Sequence, residues 1–193
     1  MATLEELISE LETLTPTSLD ELAHFIQHLK SKQGDVPASG MAWVFDLVDN
    51  FRRATVSAEH DPAGMEVRVD QAACGGEQRM ALWQHPPLRG SVIVEYQVPV
   101  PANVRDLRLE FATGIRDGSH LAEGNIVAFR LFVNGWKLWS DTQRQIAWKD
   151  HLIAMPALAG DVARIQLVTD GLGNHEWAWA VWGEPRLTGK IVG

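Results

Sequence analysis

Eight tryptophans against one tyrosine are the chemical signal in this sequence of 193 residues. An indole face is flat and apolar, so it stacks on the apolar face of a sugar ring as readily as on another aromatic plane. Trp136 and Trp139 follow Asn134-Gly135, a dipeptide that turns a hairpin, so they lie near a loop and lead as an exposed platform. Trp148 and Trp83 rank next. Trp177, Trp179 and Val181 alternate with Ala178, Ala180 and Trp182, which puts the two sets on opposite faces of a strand, one of them core. His120 with Glu123, and His175 with Glu176, fall in loops where they can meet sugar hydroxyls. His24 and His28 have the i, i+4 spacing of metal ligands, but no third ligand follows them in sequence. Cys74 has no partner cysteine, so neither a disulfide nor a zinc motif arises from it. Nucleophile elbows, phosphate loops and His-Glu-x-x-His are absent, which leaves a small enzyme as the least favoured class.

The elements that must position these residues change period along the chain. Residues 3 to 32 read as two amphipathic helices broken at Thr15-Pro16-Thr17. Leu4, Leu7 and Leu11 line one stripe and Leu19, Leu22, Ile26 and Leu29 the other. Helices this short are marginal alone. Their stripes are therefore expected to be covered, by the main domain, a second copy or a partner. The division expected is a helical hairpin over 1–33, a linker over 34–40 and a main domain over 41–193. Beyond the linker the period is two: residues 65–69, 91–98, 107–111 and 162–168 alternate, residues 126–133 are densely apolar, and residues 176–182 read as a Trp-rich strand. Many short strands and little helix predict a mainly β protein, an antiparallel sandwich or jelly roll, preceded by the short helical hairpin.

The formal net charge of −8 argues against nucleic acid and against anionic membranes as partners. No apolar run reaches the roughly 20 residues that span a bilayer. The acidic start, Met1-Ala2-Thr3-Leu4-Glu5-Glu6, is unlike a signal peptide, and a cytoplasmic location is expected.

Several local motifs, in order, then carry a resemblance. They are Trp43 to Asp49, His85-Pro86, Gly114-Ile115-Arg116-Asp117-Gly118, Glu123-Gly124, Phe129 to Gly135, Thr169-Asp170-Gly171 and Trp179 to Pro185. The stretch from about Trp43 to Leu187 resembles galactose-binding-like jelly-roll modules related to NPCBM-type carbohydrate-binding modules. The departures are Ala178, where such modules often carry Asp, and Glu123, where Asp is commoner. The helical arm resembles Leu-rich segments of some bacterial antitoxin-like proteins.

The resemblance implies a saccharide ligand held by loops, and the contacts expected for it are Arg116, Trp136, Trp139, Trp148, His120, His175 and Glu176. It also implies a structural calcium at the loop carboxylates Asp117 and Asp170. The reading is a non-catalytic carbohydrate-binding-like module whose arm oligomerises or docks. A structural or assembly protein, using the sandwich for protein contacts, is the alternative.

Overall fold

Alternating sequence needs a second apolar face to cover it, and the chain supplies one by pairing distant strands. The computed structural model describes residues 42–58, 67–87, 89–123, 125–173 and 176–192. The predicted arm, its seven apolar oligomerisation residues, the linker and His175 lie outside the described residues.

The strands are β1 (Ala42–Asp46), β2 (Thr55–Ala58), β3 (Arg68–Cys74), β4 (Glu77–Trp83), β5 (Ser91–Pro99), β6 (Val104–Ile115), β7 (Val127–Val133), β8 (Trp136–Gln143), β9 (Trp148–Ala154), β10 (Val162–Asp170) and β11 (Ala180–Ile191). One sheet runs β3-β4-β11-β6-β9, with β1 also on β11; the other runs β2-β5-β10-β7-β8. The pairings are antiparallel. The described part is thus the mainly β antiparallel sandwich that the alternation predicts.

β11 serves two neighbours in turn. Val181 to Gly183 pair with β4, and Arg186 to Lys190 pair with β1. The handover is a bulge at Glu184 and Pro185, where Glu184 has φ 43°. Proline has no N–H to give to a ladder, and a bulge is where a strand tolerates that. The Pro185 carbonyl still accepts from Leu47 N–H at 2.9 Å.

The inner faces meet in one core that includes Tyr96, Leu109, Phe111, Phe129, Leu131, Ile165, Leu167, Trp182 and Leu187. Trp182 is fully buried against Phe111, Phe129 and Trp139, and its Nε1–H donates across the sandwich to Thr169 Oγ1 at 3.0 Å. The sugar-platform expectation for Trp139 is corrected here. A bulge between Leu131 and Phe132 sets Trp139 opposite Leu131, so the indole turns inward against Phe111, His151 and Trp182.

Beside Trp139 a polar relay crosses between the sheets. Gln143 Nε2 donates to the carbonyls of Gln145 and Ala147, so its Oε1 is the acceptor that faces Thr113 Oγ1, 3.0 Å away. Thr113 spends its one proton there, so the His151 Nε2 at 3.0 Å faces it as the donor. Burial holds this imidazole below its ordinary value of 6.5, with Asp141 opposing the shift. A base depressed on folding is protonated more readily in the unfolded chain. The relay's contribution is therefore complete above about pH 6.5 and declines as pH falls through that value toward the folded one. Chemical denaturation midpoints are expected to drop between about pH 7 and about pH 5, and His151→Gln is expected to flatten that slope.

A second, smaller cluster lies on the outer face of the six-stranded sheet: Ala72, Cys74, Ala81, Trp83 and Val181, with Trp148 against it. The β3–β4 turn is Gly75-Gly76, with φ of 64° and 81°, the backbone a two-residue hairpin of this hand requires. Its tip folds over the sheet. Trp148 Nε1–H donates to the Glu77 carbonyl at 2.9 Å, and the indole lies over Gly114 and Gly183, where an added Cβ would come within 2.8 Å of the ring. Trp148 is therefore a packing residue of this face. Cys74 is buried beneath the tip, and burial, with Asp117 next, pushes its thiol up to about 12. A buried thiol so rarely ionised is a packing group.

Candidate functional site

Strand pairing decides which loops meet. Arg68 is opposite Trp83, Trp83 is opposite Val181, and Val181 is opposite Gly114. The start of β3, the end of β4, the end of β6 and the start of β11 therefore share one end of the sheet. The segments that leave them, carrying His85, Arg116 to His120 and Trp177 to Trp179, are gathered there.

Hydrogen bonds then lock these segments together. Arg116 N–H donates to the Trp179 carbonyl at 3.0 Å, and the Ser119 hydroxyl donates to the Trp177 carbonyl. Gly118 sits under the Trp179 ring with φ 83°, and an added Cβ there would lie 3.1 Å from the indole. Gln84 is fully buried, and its Nε2 donates to the carbonyls of Val92 and Leu167 at 2.9 and 2.8 Å. That clamp fixes the origin of the His85 segment to the opposite sheet.

The strand expected over 176–182 is shortened for a physical reason. β11 starts at Ala180, because Trp177 has φ 55° and tight bonds link Trp179 N–H to Trp177 O and Ala180 N–H to Ala178 O. A residue at positive φ leaves the extended conformation, and the regular ladder here begins only beyond it. Ala178, Ala180 and Trp182 still face the core, while Trp177 stands 49% exposed.

The result is a row of aromatic rings. Trp83 stacks near His85 at 6.0 Å, His85 near Trp179 at 6.5 Å, Trp179 near Trp177 at 5.3 Å, and Trp177 meets His120 edge-on at 5.6 Å. Two guanidinium groups share the Trp83 ring: the Arg116 carbon lies 3.3 Å and the Arg68 carbon 4.1 Å from its centroid. Arg116 also lies 5.3 Å from the Trp179 ring. Burial, and secondarily the neighbouring charge of Arg68, hold Arg116 below its ordinary pKa. It remains a cation. Trp83 itself is 8% exposed, and its indole N–H has no acceptor among the described residues.

The residues expected from sequence are distributed as follows. Arg116 and His120 belong to this end, and Glu176 adjoins it in the segment before β11. Trp136 is 81% exposed but follows the β7–β8 turn, at the opposite end of the sandwich. Trp139 and Trp148 are packed as described above. Asp117 accepts from Gly75 N–H at 2.7 Å and Gly76 N–H at 2.9 Å, which pins the hairpin tip. Asp170 accepts from Leu172 N–H at 2.8 Å and from Arg130 Nη1 at 3.0 Å. The two carboxylates work in separate hydrogen-bond systems, and no group of three His, Cys, Asp or Glu side chains is gathered for a metal among the described residues. Calcium takes six to eight oxygens, and this donor set does not fit it. Arg68, His85, Trp177 and Trp179 stand outside the expected ligand contacts, and Trp83 ranks there only behind Trp136 and Trp139; an Arg or His within reach of each Trp is the signal that sets them apart.

A cleft of about 400 Å³ elsewhere, on the outer face of the six-stranded sheet, is lined by Arg79, Glu110, Asp150, Leu152 and Arg186 among others. Its charges neutralise one another: Arg79 pairs with Glu77 and Asp150, and Arg186 with Glu110. It offers a ligand less than the loop end does.

This two-sheet sandwich is a fold that the chain shares with solved CBM51 modules. The chain is similar to the tandem CBM51 modules of a family 98 glycoside hydrolase from Streptococcus pneumoniae, with TM-score 0.50 and 16% identity over 76% of this chain and 49% of that one. It is equally similar to a structure of the catalytic domain and two CBM51 domains of ZmpB from Clostridium perfringens, with TM-score 0.50, 16% identity, 78% of this chain and 15% of that one. A CBM51 from a Clostridium perfringens protein, in complex with methyl-galactose, aligns at TM-score 0.48 and 13% identity over 75% of this chain and 99% of that one. The chain thus spans about half or less of the length of the first two. No protein-family model matches the sequence, and no curated protein matches it significantly. Among the described residues no helix is long and apolar enough to cross a membrane.

Proposed function

We propose that this chain is a non-catalytic saccharide-binding module whose site is the loop end of the sandwich. The observation that carries the reading is Trp177, 49% exposed beside Trp179 and flanked by Arg116 and His120. Two indoles offer ring-sized apolar planes, and the guanidinium and imidazole offer directional hydrogen bonds to hydroxyls. The rings are held by backbone bonds on strand ends, so little ordering is left for binding to require. The shared fold supports this reading as analogy. A glycan-array screen of the full chain, run with calcium and with a chelator, tests it. Calcium-independent binding to a defined glycan is the expected result; a blank array in both conditions overturns it.

A second reading is a protein–protein surface. It is favoured by Trp136 and Leu138, 81% and 37% exposed on the edge strand β8. The apolar stripes of residues 3–32 stand beside it as a proposed self-association element. Comparing the mass in solution of the full chain with that of a chain starting at Gly40 tests the stripes, and Trp136→Ala tests the edge. A lower mass for the shortened chain is the expected outcome, and an unchanged mass removes the arm from the account.

A further inference from the structure

The loop-end site holds a charge that the protein leaves unmatched. Arg116 rests on Trp83 and reaches toward Trp179, and no carboxylate lies within ion-pairing distance of it among the described residues. Several other cations of the fold are neutralised: Arg79 by Glu77 and Asp150, Arg130 by Asp170, Arg186 by Glu110, Lys190 by Asp106. The nearest acid in sequence, Asp117, has both oxygens on the Gly75 and Gly76 N–H groups. Arg68 adds a second guanidinium to the same indole, although it also meets Asp70 at 3.5 Å. Arg116 is therefore a partly buried cation on a small aromatic surface, without a direct ion pair and with Asp70 the acid that acts on it through space.

Two like charges on one ring repel, and partial burial of Arg116 removes the water that would screen them. An anion placed beside the guanidinium relieves both costs, and a planar oxyanion is the partner whose geometry suits a guanidinium fork. A neutral hydroxyl relieves neither. The indole N–H of Trp83, buried and without an acceptor, adds a donor to the same surroundings.

Resting on the saccharide reading above, we infer that the ligand is an anionic saccharide, one whose ring carries a carboxylate or a sulfate ester, with Arg116 as its counter-ion and Trp177 and Trp179 as its ring platform.

The test is calorimetric titration of the full chain with a glucuronate-terminated oligosaccharide and its carboxyl-reduced neutral counterpart. A sulfated galactoside and its desulfated form make the second pair. The anionic member of at least one pair is expected to bind about 10- to 100-fold tighter, as a charge-assisted bond to a held guanidinium implies. The pair that shows the advantage identifies the anion. That advantage is expected to shrink with added salt and to vanish in Arg116→Gln, while Arg116→Lys keeps part of it. Trp177→Ala is expected to weaken both members of the pair alike. Thermal unfolding of each variant separates lost binding from lost folding. Equal affinity for charged and neutral members, unchanged in Arg116→Gln, overturns the anionic inference and leaves the saccharide reading standing. Failure of all four sugars to bind, with a blank glycan array, overturns both.

Discussion

Replacing Trp182 by alanine is expected to remove about 3–5 kcal/mol of folding stability, the cost of deleting a large aromatic from a packed core. The indole is fully buried among Phe111, Phe129 and Trp139, and its N–H bond to Thr169 ties one sheet to the other. The loss therefore has two parts: a cavity at the centre of the sandwich and a buried Thr169 hydroxyl left without its donor. Domains of this size have only about 5–15 kcal/mol in hand, so the variant is expected to unfold at far lower denaturant or to be recovered poorly. Trp136→Ala is the matched control. Its side chain is 81% exposed, and its loss is expected to move the midpoint very little. A Trp182→Ala protein as stable as the parent would contradict the placement of the core.

The second large effect is on binding. Trp177→Ala is expected to lower affinity for the bound glycan at least about tenfold while leaving the unfolding midpoint nearly unchanged. The reasoning is the reverse of that for Trp182. Trp177 is half exposed, sits outside the strand at positive φ, and touches Trp179 and His120 rather than the core. An aromatic side chain kept in water, in a backbone conformation that few side chains adopt, is hard to explain by stability alone. Titration of the variant beside the parent reads the effect, and unaltered affinity would move the platform elsewhere.

Much of the sandwich was legible because its strands alternate and its turns are marked. Residues 162–168 and 91–98 alternate over most of β10 and β5, and Asn134-Gly135 turns β7 into β8 with φ of 51° and 87°. The Gly75-Gly76 turn carries the same kind of mark between strands that hide it. Its flanking strands cover the outside of a sheet, so they mix Arg, Gln, Glu and Ala where an alternating core strand would show Val and Ile. The settings of two Trp residues have causes that a sequence hides. The β8 bulge turns Trp139 inward, and no residue type announces it. Trp177 alternates with Ala as strand residues do, yet its positive φ delays the start of the strand to Ala180. Arg116 stands in a motif that carries the resemblance, and His120 in the loop that follows it. Their partners Arg68, Trp83, His85 and Trp179 come from segments far apart in sequence, and only the pairing of β11 with both β4 and β6 brings them together.

The central claim is that the loop end, and not the far end or the sheet face, is where ligand binds. Its most direct test uses the eight tryptophans themselves. Their indole N–H signals can be assigned by single substitution and followed by NMR as the glycan recovered from the array is added. The account predicts that Trp177 and Trp179 shift first and furthest, that Trp83 follows, and that Trp136 and Trp148 stay in place. Shifts centred on Trp136 or Trp148, with Trp177 and Trp179 unmoved, would contradict it.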